Sequence, residues 1–236
     1  MNQPYRVMDT TRTRAEVVNA FMRGVYAWMF MGLGVTALAA LFTISSPAVA
    51  QVVLGNQIVF FGLIIGELAL VVALSAAISR LSSGTASALF LLYSALNGLT
   101  LSAIFLAYSP TAIFNAFVVS AGMFGAMSVY GVVTKKDLTS WGSFLFMGLI
   151  GIIIASVVNI FTKSAAMDFV ISCVGVLVFL GLTAYDTQKL RVMGETAPAG
   201  DATAIRRGTI LGALTLYLDF INLFLMMLRL FGSSRD

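Results

Sequence analysis

The sequence predicts an all-α membrane protein with seven transmembrane helices and a cytoplasmic N-terminus. The 236-residue chain is 59% apolar and only 10% charged, and its mean hydropathy is +0.97. A soluble domain of this length is not expected to have that composition. Seven stretches reach the length of about 20 apolar residues that a membrane helix requires. The basic residues are also divided unevenly among the segments that join these stretches.

The seven apolar stretches are joined by short polar segments, except for one longer segment before the last stretch. Their approximate bounds are 24–45, 58–79, 85–107, 112–134, 141–162, 168–188 and 207–230. The first stretch has full membrane length and is not followed by an Ala-x-Ala cleavage site with a soluble domain after it. It is therefore interpreted as a membrane anchor and not as a cleaved signal peptide.

The polar segments define the remaining organisation of the chain. Residues 1–23 are predicted to be a basic cytoplasmic segment, and residues 24–232 are predicted to be the transmembrane domain. The longer segment 189–206 is polar and contains Pro198, so it is predicted to be a cytoplasmic loop. Residues 233–236 are predicted to form a short C-terminal tail.

Lysine and arginine predict the orientation of the spans. With the N-terminus inside, only Lys163, Arg229 and Arg235 lie in outer segments. Basic segments tend to remain in the cytoplasm, so this distribution predicts N-in and C-out. The pI of 9.4 then indicates attraction to anionic membrane lipids and no nucleic-acid binding. The eleven cytoplasmic basic residues are Arg6, Arg12, Arg14, Arg23, Arg80, Lys135, Lys136, Lys189, Arg191, Arg206 and Arg207.

The residue types that are missing restrict the chemistry. The chain has no histidine and one cysteine, Cys173, inside an apolar run. Disulfide frameworks, thiolate metal sites and histidine-based catalysis are therefore excluded. We predict no enzymatic activity and no cofactor, and any functional titration must fall on a carboxyl group.

Three acidic residues lie in or near predicted spans. Asp219 is near the middle of the last stretch, where a charged side chain costs roughly 3 kcal/mol to insert. Asp186 ends the sixth stretch, and Glu67 lies near the middle of the second. An acid-rich, base-poor interior favours cations, and oxygen ligands suit Ca²⁺, although protons or Na⁺ would experience the same field. The three acids are therefore candidate calcium ligands.

Helical periodicity suggests that two of these acids meet. In the last stretch the small and polar residues share one stripe, as they do in the sixth. We infer that the two stripes pack together, so that Asp186 and Asp219 share a proton and titrate as a pair. In the simpler alternatives, Asp219 is a neutral hydrogen-bonded acid and Asp186 pairs with Lys189 or Arg191. The stripes contain Gly208, Gly212, Thr215, Asp219, Asn222, Met226 and Arg229 in the last stretch, and Ser172, Gly175, Phe179, Thr183 and Asp186 in the sixth.

Small residues four apart are a second packing signal. Gly62 and Gly66 in the second stretch, and Gly208 and Gly212 in the last, have the spacing that allows close helix contact in lipid. Glycine is common in membrane helices, so the sequence is compatible both with a tight interface and with no contact at each pair.

Three motifs resemble one known family. Residues 216–224 (LYLDFINLF), followed by residues 228–229 (LR), resemble the last-helix signature of the transmembrane Bax inhibitor motif family, in its bacterial branch. Residues 184–188 (AYDTQ) are similar to its sixth-helix Tyr-Asp motif. Residues 135–138 (KKDL), before Trp141, are similar to its loop between the fourth and fifth spans.

The resemblance implies a fold and an activity. It implies that the last helix is central in the bundle and that the protein is a pH-sensitive calcium leak channel of the bacterial inner (plasma) membrane. Asp186 and Asp219 would form the proton sensor, and Arg80 would be a latch that holds Asp186 until protonation weakens their attraction. Ca²⁺ would then pass along Glu67, Asp219 and the neighbouring Asn222.

Two functions from other classes remain open. Some bacterial members of the family are thought to modulate a membrane-bound AAA protease, so a non-conducting regulator is the first alternative. An intramembrane aspartyl protease would also use two membrane aspartates, one of them in a Tyr-Asp context. That enzyme class requires Gly-x-Gly-Asp, where this chain has Tyr217-Leu218-Asp219.

Overall fold

The computed structural model describes residues 14–196 and 201–232. Within these ranges the secondary structure consists of nine α-helices, without β-strands: α1 Arg14–Ser45, α2 Pro47–Val53, α3 Gln57–Ala77, α4 Ser83–Leu101, α5 Ile104–Ala107, α6 Pro110–Val133, α7 Thr139–Thr162, α8 Ala165–Thr196 and α9 Ala202–Phe231. Seven segments are long and apolar enough to span a membrane, with α4 and α5 together forming one of them. The predicted all-α fold with seven spans is confirmed.

The helices extend beyond the apolar stretches that predicted them. Helix α1 begins at Arg14, within the predicted N-terminal segment, and α8 continues to Thr196. Most of the predicted loop 189–206 is therefore helical, which corrects that prediction. Hydropathy marks the part of a helix that suits lipid, whereas packing can stabilise further turns outside it. Leu190, for example, is buried in this extension. Residues 1–13, 197–200 and 233–236, including Pro198, lie outside the described residues.

Helix α9 is the central element of the bundle. It packs against α1, α4, α6 and α8, and most of its apolar length is buried. Helices α3 and α7, in contrast, are mainly exposed along their length, as expected for spans that face lipid. The central position implied for the last helix is confirmed, and it places Asp219 inside the bundle.

Local side-chain caps explain where several helices begin. The Asn56 side chain accepts hydrogen bonds from the first turn of α3, and Ser82 does the same for α4. Ser109 caps α6 before Pro110, and Asp201 caps α9 by accepting from the Ala204 N–H. Each cap satisfies backbone N–H groups that have no partner inside the helix.

Close helix contact occurs at a glycine other than the predicted pair in the second stretch. A Cβ atom added to Gly98 of α4 would collide with the Thr36 carbonyl oxygen and with the Ala39 side chain of α1. Gly62 and Gly66 have nothing within 4 Å of an added Cβ. The spacing of small residues indicated that a close contact was feasible, but only the neighbouring helix decides whether one forms.

Candidate functional site

A cavity of about 510 Å³ lies between α7, α8 and α9. Asp186 of α8 and Asp219 of α9 both line it, so the structure brings the two predicted sensor residues together. The polar faces of these helices meet as the periodicity indicated. The remaining polar or charged lining residues are Ser143, Tyr185, Lys189, Thr215 and Asn222.

Asp219 is the most enclosed acid of this cavity. Its side chain is only 5% exposed, and its buried Oδ2 atom has no hydrogen-bond partner among the described residues. A buried polar atom without a partner costs about 1–3 kcal/mol. The alternative of a carboxyl group fully satisfied by a neighbouring helix is therefore not supported. This oxygen is available to a proton or to a cation.

Asp186 is half-buried and experiences opposing charges. The carboxyl group of Asp219 repels it, whereas the ammonium group of Lys189 attracts it. The other suggested partner, Arg191, is engaged elsewhere: its Nη1 donates to the Val132 carbonyl at 2.6 Å, and its Nε lies 3.4 Å from Glu195 Oε1. Within residues 14–196 and 201–232, neither Lys189 nor Arg191 lies within ion-pair distance of Asp186.

The predicted latch between Arg80 and Asp186 is not formed. Arg80 is exposed in the turn after α3, and the described residues show no ion pair between it and Asp186. The reason is architectural. Helix α3 packs mainly on α4, whereas the walls of the aspartate cavity come from α7, α8 and α9.

Glu67 also lies away from the two aspartates, which corrects its predicted place in their ion path. It is 8% exposed on α3 and accepts hydrogen bonds from Asn97 Nδ2 at 3.1 Å and from Thr100 Oγ1 at 2.9 Å, both on α4. No group of three potential metal-ligating side chains occurs in the described part of the chain. The predicted three-carboxylate calcium site is therefore not assembled.

Asn222 remains beside Asp219 in the cavity. Its Nδ2 donates to the Leu218 carbonyl at 2.8 Å, one turn earlier on α9. The amide nitrogen is thus used within the helix, and the amide oxygen is the group that can interact with a cation.

Beyond Asn222, α8 and α9 are in tight contact. A Cβ atom added to Gly175 would lie 2.7 Å from Met226 Sδ. Further along, Arg229 Nη1 lies 3.6 Å from Asp168 Oδ1. In this part of the stripe α8 and α9 therefore pack directly against each other, and an exposed ion pair joins them further along.

Gln188 is a structural residue that the sequence did not single out. Its Oε1 accepts from the Leu138 N–H, and its Nε2 donates to the Lys136 carbonyl, both at 2.8 Å. These two bonds fasten the α6–α7 loop to α8, immediately before the cavity wall formed by α7. The position of Gln188 two residues after Asp186 was the available signal, but its partners lie about 50 residues away.

Replacing Gln188 by alanine is expected to loosen the α6–α7 loop. The buried Leu138 N–H would lose its acceptor, at a cost of about 1–3 kcal/mol. Hydrogen exchange followed by mass spectrometry should show faster exchange in residues 134–140. Gln57→Ala, at an exposed position on α3, is the matched control and should leave this segment unchanged. Equal exchange in Gln188→Ala and the wild type would contradict the role assigned to this side chain.

Comparison with known proteins identifies relatives over almost the whole chain. Residues 18–236 match the family model described as "Inhibitor of apoptosis-promoting Bax1". The "Inner membrane protein YbhL" of Escherichia coli (strain K12) is 54% identical over 218 residues, covering 92% of this chain and 93% of that protein. An uncharacterized protein of Deinococcus radiodurans is 45% identical and covers 98% of this chain and 97% of its own length. An uncharacterized protein of Borreliella burgdorferi is 44% identical, with 98% and 100% covered.

Proposed function

The chain belongs to the Bax inhibitor family, and on that basis we propose that it is a pH-sensitive calcium leak channel gated by protonation of Asp186 and Asp219. The seven spans and the inner-membrane relative place it as a multi-pass protein of the inner membrane. The observation that carries the proposal is the shared cavity of the two aspartates, in which Asp219 Oδ2 is buried and has no partner within residues 14–196 and 201–232.

The pair is suited to sensing protons because its members repel each other. Two carboxylates in one cavity do not both ionise cheaply when one of them is buried, so a proton is shared and the pair titrates as a unit. The two residues come from different helices, α8 and α9. Their charge state therefore changes how strongly these helices are held together. The bistable element of this proposal is the α8–α9 contact, in place of the latch by Arg80.

The cavity also offers suitable ligands for calcium. Carboxylate, amide and hydroxyl oxygens are the groups that Ca²⁺ prefers, and Asp219, Asn222 and Thr215 supply one of each on α9. With Glu67 elsewhere, two carboxylates from the described part of the chain line the cavity. Weak binding of this kind suits a leak, since a permeating ion must leave its site as readily as it enters.

Calcium entry into dye-loaded liposomes tests the proposal directly. Purified wild-type protein should admit Ca²⁺ in a pH-dependent manner between about pH 5 and pH 8, whereas Asp219→Asn should lose most of that dependence. No leak above that of empty liposomes at any pH would overturn the channel proposal. A non-conducting regulator of a membrane-bound AAA protease would then be the next hypothesis, to be tested by crosslinking in the native membrane.

A further inference from the structure

A second buried polar cluster lies on the far side of α9 from the aspartate cavity. Tyr217 and Asp219 are two residues apart, so their side chains leave the helix in roughly opposite directions. Tyr217 Oη lies 3.1 Å from Asn97 Oδ1 and 2.6 Å from Thr36 Oγ1. Since Asn97 also contacts Glu67, a continuous chain of hydrogen bonds connects α3, α4, α9 and α1.

Counting hydrogens along this chain shows what an ionised Glu67 would require. An ionised carboxyl group only accepts, so Asn97 must donate to it through Nδ2, and Tyr217 must donate to Asn97 Oδ1. Thr36 must then give its single hydrogen to Tyr217. However, Thr36 Oγ1 also lies 2.8 Å from the Ser94 carbonyl oxygen and 3.0 Å from the Gly32 carbonyl oxygen, and both contacts would be left without a hydrogen.

A protonated Glu67 reduces this deficit, because Thr36 then keeps its hydrogen for one of its two carbonyl neighbours. Its O–H donates to the oxygen of Asn97 once the amide is rotated by half a turn, which leaves the shape of the side chain almost unchanged because the amide nitrogen and oxygen are nearly equal in size. Asn97 then donates to Tyr217, Tyr217 donates to Thr36, and Thr36 donates to the Ser94 carbonyl. The distances from Asn97 to Glu67 and to Tyr217 are both 3.1 Å, so they fit either direction of donation. The contacts of Thr36 favour the hydrogen-bond pattern in which Glu67 is protonated.

The surroundings of Glu67 agree with a neutral group. The titratable side chains that interact with it are Tyr93 of α4 and Tyr217 of α9. Within the described ranges no lysine or arginine forms an ion pair with it. An unpaired charge at this depth in a membrane is expensive. Thr100 donates to the other carboxyl oxygen in both protonation states, so it does not oppose either pattern.

We propose that Glu67 is a second proton-binding site, and that the Glu67–Asn97–Tyr217–Thr36 chain transmits its protonation state to the central helix beside Asp219. Loss of the proton reverses the direction of each hydrogen bond from Asn97 to Thr36 and removes the hydrogen between Thr36 and the Ser94 carbonyl. That change weakens the contact between Thr36 of α1 and Ser94 of α4. It also changes the hydrogen bonds that hold Tyr217 of α9 in place. Tyr217 is thus a positioning residue for Asp219, a role that rests on the proposed function.

Infrared spectroscopy of the protein in lipid bilayers tests the proton site independently of conduction. We expect a carboxylic-acid carbonyl band at neutral pH that is absent from Glu67→Gln. Tyr217→Phe should shift the frequency of this band, because the chain loses the hydroxyl that joins Asn97 to Thr36. Tyr130→Phe is the matched control, since its side chain is exposed on α6 outside the hydrogen-bond chain, and it should leave the band in place.

Two spectroscopic results would overturn the inference. A spectrum in which Glu67→Gln removes no carboxylic-acid band at neutral pH would show that Glu67 is ionised. A Glu67 band that is unaffected by Tyr217→Phe would show that the hydrogen-bond chain does not transmit the protonation state of Glu67. Thr36→Val provides a second perturbation of the same chain if Tyr217→Phe does not fold.

Calcium flux then tests whether the Glu67–Asn97–Tyr217–Thr36 hydrogen-bond chain acts on the pair of Asp186 and Asp219. Tyr217→Phe should move the midpoint of the pH profile by up to about one pH unit, the size expected from one hydrogen bond. Tyr130→Phe should not move it. A midpoint unchanged by Tyr217→Phe would overturn the positioning role. Absence of flux in the wild type would contradict the channel proposal but leave the infrared result on Glu67 intact.

Discussion

Replacing Asp186 and Asp219 together by asparagine is expected to flatten the pH dependence of Ca²⁺ flux no further than either single replacement does. The two carboxyl groups line one cavity and repel each other, so the titrating unit is the pair. A gate controlled by one proton changes its open fraction by at most about tenfold per pH unit. Removing either carboxyl group abolishes the sharing of that proton. The second replacement should therefore reduce the pH dependence of Ca²⁺ flux only slightly further.

Flux measured across the pH range for the wild type, both single variants and the double variant checks this expectation. Asp168→Asn is the matched control, because it lies on the same helix as Asp186 but is ion-paired with Arg229 away from the cavity. Loss of that exposed ion pair should change stability by about 1 kcal/mol or less and leave the pH dependence in place. Effects of the two single replacements that simply add in the double variant would indicate independent sites and contradict a shared proton.

Replacing Gly98 by leucine is expected to destabilise the bundle strongly. Even a Cβ atom at this position would collide with the Thr36 carbonyl oxygen, and a backbone carbonyl within α1 cannot rotate away as a side chain can. Overpacking typically costs about 1–3 kcal/mol, and contact with a fixed backbone should place this variant at or above the upper end. Unfolding in mixed micelles of sodium dodecyl sulfate and a mild detergent would measure the loss.

Gly62→Leu is the matched control for Gly98→Leu. An added Cβ at Gly62 meets nothing within 4 Å, so the new side chain can extend outward from α3. The expected effect is neutral or slightly stabilising, because leucine favours a helix by nearly 1 kcal/mol over glycine. Equal destabilisation by both replacements would mean that the α1–α4 contact at Gly98 is not specially close.

The helices could be predicted from the sequence because the bilayer imposes a simple requirement. Each span must satisfy its own backbone hydrogen bonds and present apolar side chains to lipid, and both properties can be recognised locally. The ends of the helices were less predictable. Helix α8 continues past the apolar stretch because Leu190 and its neighbours pack against other helices, and hydropathy does not contain that information.

The candidate site was predictable to the extent that it depends on helical phase. Asp219 shares a face with Thr215 and Asn222 by their spacing, and the structure places all three in the cavity. Glu67 and Arg80 were assigned to the same site, but their own helix packs mainly on α4. Periodicity identifies which face of a helix is polar. It does not identify which neighbouring helix that face contacts.

The sequence by itself determined a seven-span helical membrane protein with a carboxyl group in its last helix and no histidine to share the titration. Only the tertiary structure decided that Asp186 and Asp219 meet while Glu67 joins a separate network through Asn97 and Tyr217. The physical reason is that composition and periodicity are properties of a single segment. The partner of each buried polar group depends on how whole helices pack, which is the combined result of contacts distant in the chain.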